Sequence, residues 1–338
     1  MKKSVFLGAL TVAGLAAGAS AAATLDDVKA RGVLNCGVNT GLVGFAAPDA
    51  DGEWGGFDVA MCRAVAAAVL GDANAVSFVP LTGKTRFTAL AAGEIDMLSR
   101  NTTWTFSRDN DLKFEFVGVN YYDGQGFIVP TDLGVSSLTE LDGATICIQT
   151  GTTTELNLAD FFRTNNISYD PVPIETNAEA QQQYLAGACD SYTTDASGLA
   201  ASRANFEDPG AHMILPEIIS KEPLGPLVRH GDNEWGDIVR WTLNALISAE
   251  ELGVTSANIA SLAGGSDNPE VNRLLGSEGD LGAMIGLDAE WAKRALMVGG
   301  NYGEIFEANI GESTPIGLSR GLNAQWTDGG LLYSPPFR

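Results

Sequence analysis

Histidine is nearly missing from this chain. The 338 residues contain two, His212 and His230. Neither lies near a Gly-x-Ser-x-Gly elbow or in a His-Glu-x-x-His pair, so a serine-hydrolase base and a zinc-protease ligand set have no support. A Gly-x-Gly-x-x-Gly run is also absent. Thr82-Gly83-Lys84-Thr85 ends like a phosphate loop but has Phe78 where that loop requires glycine. Positive charge is scarce: 20 Lys and Arg stand against 42 Asp and Glu, a formal net of -22. Such a surface repels nucleic acid and anionic membrane and favours solubility. It says little about a single pocket, because about 0.15 M salt confines surface fields to roughly 8 Å. The four cysteines, Cys36, Cys62, Cys147 and Cys189, make no Cys-x-x-Cys and no zinc spacing with histidine, so neither a metal nor any other cofactor is expected. Beyond the N-terminal stretch, no segment reaches the roughly 18 to 20 apolar residues that a membrane span requires, and direct membrane insertion is not expected.

What the N-terminus has is a processing signal. Met1-Lys2-Lys3 is followed by an apolar run over residues 5–19 and by Ser20-Ala21-Ala22-Ala23. This reads as a secretory signal over residues 1–23, cleaved near Ala21 to Ala23, which makes the mature chain an exported protein. No cysteine follows closely enough to carry a lipid anchor. Losing Lys2 and Lys3 moves the formal net charge to about -24. The remaining length of roughly 315 residues favours two domains over one.

Apolar periodicity divides the mature chain into strand and helix alternations. The first places a short helix over residues 24–30, a strand over 33–38, a helix over 57–70 and a strand over 75–79. A helix over 86–92 and a strand over 95–98 complete it. The Gly, Pro and Asp-rich stretch 41–56 between the first strand and the first long helix reads as a loop with a turn at Asp51-Gly52. A second alternation begins after Asn120-Tyr121-Tyr122-Asp123-Gly124, with strands over 127–129, 145–148 and 192–194 and helices over 156–163, 178–186 and 198–206. Short strands over 213–215 and 226–228 lead back to a long helix over 234–252, amphipathic through Trp235, Ile238, Val239, Leu243, Leu246 and Ile247. The alternation predicts α/β architecture with mostly parallel sheets covered by helices. Four cysteines permit three pairings, between which the sequence does not formally choose. The division into two alternations favours Cys36 with Cys62 and Cys147 with Cys189, each pair within one lobe.

Residues 98–109, Leu-Ser-Arg-Asn-Thr-Thr-Trp-Thr-Phe-Ser-Arg-Asp, follow directly on a strand. Ligands of open α/β sheets bind beyond the carboxyl ends of strands. Arg100 and Arg108, separated by small polar residues including Asn101 and Thr103, make a poor core and a good clamp for a carboxylate. Asn101-Thr102-Thr103 also scans as a glycosylation acceptor. In the second alternation, Gln149 to Glu155 opens a helix after a strand, so free N–H groups around Gly151, Thr152 and Thr153 can face an anion while a threonine caps the helix. Asp195, at a third strand end, serves as an N-cap or as the acceptor for a ligand ammonium. Arginine and a helix start on one side, with a carboxylate on the other, suit a zwitterion.

These stretches are similar to those of the extracellular amino-acid-binding proteins that feed ATP-driven bacterial importers, solute-binding protein family 3. Gly56-Phe57-Asp58-Val59-Ala60-Met61 resembles the family signature at the first long helix, with Ala60 where an acid is usual. Residues 93–109, 149–155 and 190–195 complete the set. Ser99 to Thr105, Asn120 to Gly126, Ile218 to Pro226 and Gly300 to Phe306 resemble the longer general L-amino-acid receptors. The resemblance implies a type 2 periplasmic-binding fold. Two doubly wound lobes, residues 24–122 with 223–264 and residues 123–222, are joined by a two-segment hinge, and residues 265–338 form an extension packing on the first lobe. It implies that Arg108 holds the ligand carboxylate with Thr103, Thr152 and Thr153, and that Asp195 and Asn101 hold the ammonium. Arg86 and Arg100 are then placed to read a distal carboxylate or amide. The family often has an aromatic residue near the position of Leu42, for which Phe45 or Trp54 would have to compensate. The implied ligand is an L-amino acid, chiefly Glu, Gln, Asp or Asn, and the implied partner is a membrane permease, with the receptor acting as a monomer. An exported dehydratase or hydrolase on the same fold and a chemoreceptor-coupled sensor are the competing readings.

Overall fold

The computed structural model describes residues 24–338. The predicted signal segment lies outside the described residues.

Two five-stranded sheets organise the chain. In the first, Val76–Leu81, Leu34–Asn39 and Met97–Leu98 run parallel in that spatial order, and Leu227–Arg229 and then Phe114–Phe116 extend the sheet through antiparallel pairings. In the second, Tyr169–Ile174, Ala144–Gln149 and Ser191–Asp195 are parallel, and Gln125–Pro130 and His212–Ile214 add antiparallel partners. The expectation of mostly parallel pairing therefore holds for only half of each sheet. The physical reason lies in the connections: Gln125–Pro130 enters its sheet straight from the crossover rather than through a helix. It runs against Ser191–Asp195, as a strand entering without a covering helix is free to do.

Two chain segments cross between the sheets. Tyr121–Asp123 and Glu222–Leu224 pair antiparallel, joining Asp123 to Glu222 and Tyr121 to Leu224. This ribbon escapes a periodicity reading because each strand has three residues. The strand Tyr169–Ile174 escapes for another reason: it carries Pro171 and Pro173, which a sheet tolerates at an edge, and this strand pairs on one side only.

The largest core spans the first sheet's helices and the C-terminal stretch. Phe57 packs edge-on against Tyr302 and Phe306, with centroids 5.6 and 6.4 Å away, and Trp291, Val271 and Phe337 join the same buried cluster. Arg294 donates to the carbonyls of Ala67 and Ala68 at 3.0 Å, satisfying the free end of helix Phe57–Leu70. The second sheet has two smaller cores, one on each face, around Phe127 and Phe162 and around Ile128 and Tyr192.

Both disulfides stay within one sheet's territory. Cys36–Cys62 ties strand Leu34–Asn39 to helix Phe57–Leu70, and Cys147–Cys189 ties strand Ala144–Gln149 to the residues before Ser191–Asp195. Non-reducing peptide mapping should recover these two pairs. Replacing both members of either pair by serine should cost about 2 to 4 kcal/mol of stability in denaturant unfolding, through the entropy regained by the unfolded chain.

Candidate functional site

The parallel strands of each sheet aim their carboxyl ends at the gap between the sheets, and the loops that leave those ends supply the site. Between them lies a small cavity. Of the residues singled out in the sequence, Leu42, Arg86, Arg100, Asn101, Thr103, Thr152, Thr153 and Asp195 line it. Arg108 and Gly151 stand beside the lining. Phe45 and Trp54 do not take part. Phe45 is buried against Phe57 and Tyr121, with centroids 6.2 and 5.8 Å away, and Trp54 lies on Phe78. The apolar contact at the cavity is Leu42 itself, facing Gly198 across the gap.

The first lobe contributes the positive charge. Arg86 opens helix Arg86–Ala91 and is 2% exposed. Its Nη1 donates to Thr102 Oγ1 at 3.1 Å, and its buried Nε has no partner. Arg100 donates through Nε to the Leu81 carbonyl at 2.9 Å, leaving its two Nη groups without a protein acceptor among the described residues. Arg108 sits one step behind, its Nη1 on the Thr103 carbonyl at 2.8 Å. Arg86 and Arg108 both lie over the ring of Phe87, 4.8 and 5.1 Å from its centroid, whose negative face partly offsets two crowded cations. Burial, then the neighbouring arginines, pushes the Arg86 guanidinium well below its usual range. Burial brings Arg100 and Arg108 down to about 10. All three remain charged at neutral pH, so the cavity holds positive charge that its surroundings do not fully balance.

The loop that carries these groups is held from behind. Asp58, in the first turn of helix Phe57–Leu70, is 3% exposed and accepts from Ser99 Oγ and from the Asn101 N–H, both at 3.3 Å. Burial raises its carboxyl to about 6 against the opposing hydrogen bonds and Arg100. Asn101 adopts φ 34°, uncommon for a residue with a side chain, and leaves its buried Oδ1 unpaired.

The second lobe offers donors and one carboxylate. Thr152 caps helix Thr153–Asn165 by accepting from Glu155 N at 3.1 Å, and Glu155 Oε2 accepts from Gly151 N at 2.9 Å. The N–H groups of Thr153 and Thr154 have no protein acceptor among the described residues and point the positive end of the helix at the gap. Gly151 has φ 74°, and opposite it Gly83 approaches so closely that a Cβ would lie 2.8 Å from the Thr150 carbonyl. Glycine at both positions lets the lobes meet.

Asp195 occupies the N-cap position of helix Ala196–Ala204 yet makes no side-chain cap. Asp123 takes that work, accepting from Ser197 N and Ser197 Oγ. The Asp195 carboxylate is left to the cavity. Burial, reinforced by Asp123 and Glu222, raises its carboxyl well above the ordinary range, and Arg86 and Arg100 oppose the rise.

The chain matches the bacterial extracellular solute-binding proteins, family 3, over residues 34–257. It belongs to that family. The glutamate/glutamine/aspartate/asparagine-binding protein BztA of Rhodobacter capsulatus is 68% identical over 338 residues, covering 100% of both chains. The general L-amino acid-binding periplasmic protein AapJ of Rhizobium johnstonii is 57% identical, again over 100% of both. The solved structure of an ABC transporter periplasmic binding protein from Brucella ovis with glutathione bound superposes with a TM-score of 0.91 at 56% identity, covering 94% of this chain and 100% of that one.

In this family 3 protein the lining includes further residues to which the sequence assigned no individual role. Asn39, Gln149, Asn177 and Thr194 complete the cavity's polar wall. Asn39 and Gln149 sit at the ends of strands and could have been found from that position. Asn177 carries no such signal, because it begins helix Asn177–Leu185 and reaches Gln149 only through the fold, at 3.2 Å.

Proposed function

We propose that this protein is a periplasmic receptor that captures L-amino acids with acidic or amide side chains and presents them to the permease of an ABC importer. The observation that carries the reading is the charge at the cavity: Arg86 and Arg100 face one carboxylate, Asp195. An acidic amino acid has the reverse balance, two carboxylates and one ammonium. In the pose this suggests, the α-carboxylate lies beside Thr103, on the free N–H groups of the helix start at Thr153 and Thr154 and the free nitrogens of Arg108. The ammonium lies on Asp195 with Asn101 Oδ1, and the distal carboxylate or amide lies on Arg86 and Arg100. The naming of the relatives as binding proteins supports capture without chemistry, as do the positions of the histidines. His212 bonds Tyr184 at 2.8 Å, and His230 faces Asp109 at 3.6 Å.

In this reading the moving units are residues 24–122 with 223–264 and residues 123–222, with residues 265–338 carried on the first. Ligand contacts from both units stabilise the closed state over the open one, as a ligand-driven shift requires. Titration calorimetry of unfolded, washed and refolded protein should give dissociation constants near or below about 1 μM, some 8 kcal/mol, for L-Glu, L-Gln, L-Asp and L-Asn. Glutathione belongs in the panel because the Brucella relative holds it. Binding to none of the panel would refute the reading, and binding confined to aliphatic amino acids would remove the roles of Arg86 and Arg100.

A further inference from the structure

The crossover ribbon contains a buried carboxylate with an unusual set of partners. Glu222 is 1% exposed and forms no ion pair among the described residues. Its Oε2 accepts from Thr103 Oγ1 of the first lobe and, at 2.9 Å, from Thr153 Oγ1 of the second. Its Oε1 accepts from Asn157 Nδ2 at 2.6 Å and from Ser220 Oγ at 2.7 Å, both on the second-lobe side. An ionised carboxylate has about four acceptor sites, and here all are filled, from three different parts of the chain. Thr103 and Thr153 themselves lie 3.2 Å apart. Rotation about the crossovers separates these hydroxyls, and Glu222 cannot then keep both.

We propose that Glu222 is the latch of the closed cleft, a positioning residue that joins Thr103 to the start of helix Thr153–Asn165 and sets how long a bound ligand is held. Buried carboxylates are tolerated when every lone pair is met. Closure completes that set through the lobes' own hydroxyls, while in the open state water replaces the departed donor. The latch therefore acts on the lifetime of the closed state and leaves the encounter of ligand with the open cleft alone. Asn157 reads this function cleanly, because it supports Glu222 without lining the cavity. The inference rests on the receptor reading above, through its premise that ligand is trapped by closure.

The experiment is stopped-flow fluorescence with L-glutamate on the wild type, Glu222→Gln and Asn157→Ala, together with small-angle scattering and ligand-free melting. The expected result is an off-rate raised about tenfold or more in Glu222→Gln and by a smaller factor in Asn157→Ala, with on-rates within about threefold of wild type. Scattering should show the variants' ligand-saturated ensembles shifted towards the open form. Unchanged off-rates in both variants would overturn the latch. Lower ligand-free melting with unchanged off-rates would do the same, by assigning Glu222 a merely structural role. Failure of the wild type itself to bind any of the panel would instead count against the receptor reading, so the two failures are distinguishable. If Glu222→Gln does not fold, Asn157→Ala decides the question alone.

Discussion

Replacing Asp195 by Ala should weaken L-glutamate binding by about 3 to 4 kcal/mol, a factor of roughly 10² to 10³. The size follows from what the substitution strands. In the proposed pose the ligand ammonium loses the one carboxylate that lines the cavity among the described residues, and a buried cation without a partner is costly. Desolvation, reinforced by Asp123 and Glu222, drives the Asp195 carboxyl well above the ordinary range. An arriving ammonium favours the ionised form and reverses that rise. The sign for pH follows: protonating Asp195 removes the counter-charge, so wild-type affinity should fall as pH is lowered. Burial also raises the Asp123 carboxyl, and protonating it adds to the slope through its cap on Ser197. Calorimetry across pH 5 to 8 should show a shallower slope in Asp195→Ala. Affinity within about threefold of wild type would place Asp195 outside the ammonium site.

How the sequence revealed this site depends on which part of it is local. Arg100, Asn101 and Thr103 belong to one loop after one strand, and Thr152 with Thr153 to one helix start, so strand ends and capping chemistry pointed to them. Asp195 was legible as a strand-end carboxylate, but the sequence left open whether it capped the next helix. Only the fold answers that, by bringing Asp123 from the crossover to Ser197. Glu222 and Asn157 were out of reach for the same reason. They lie 65 residues apart, and nothing in the local pattern of either announces a meeting. The lobe-like alternation was readable because buried strands and amphipathic helices carry strong periods. The three-residue crossovers and the proline-bearing edge strand carry none.

The geometry also explains how three arginines can crowd together, two on the cavity wall and Arg108 behind them. Each is anchored through part of its fork, Arg86 on Thr102, Arg100 on Leu81 and Arg108 on Thr103. For Arg86 and Arg100, which line the cavity, anchoring fixes part of each side chain before a ligand arrives, which lowers the ordering cost of binding. It also keeps mutually repelling cations in place, at the expense of guanidinium groups displaced below their usual range. An acidic ligand relieves that repulsion, whereas a neutral side chain does so only through its α-carboxylate. The expected order of affinity is therefore acidic before amide before aliphatic.

Arg108 and Arg100 should separate when each is replaced, because they are assigned different parts of the ligand. Arg108→Ala should cost about 3 to 5 kcal/mol for every amino acid bound, since it withdraws a charge from the carboxylate that all of them share. Its anchor on the Thr103 carbonyl means that the loop must also find another donor, which adds to the loss. Arg100→Met keeps apolar bulk against strand Val76–Leu81 and should cost glutamate and aspartate more than glutamine and asparagine, by roughly 1 to 2 kcal/mol, because a charged hydrogen bond exceeds a neutral one by about that much. Calorimetric profiles over the four ligands distinguish the two. A uniform loss in Arg100→Met would make it a second carboxylate clamp. Retention of binding in Arg108→Ala, with a change below about 1 kcal/mol, would confine Arg108 to holding the Thr103 loop and leave the α-carboxylate to the free N–H groups at the helix start at Thr153.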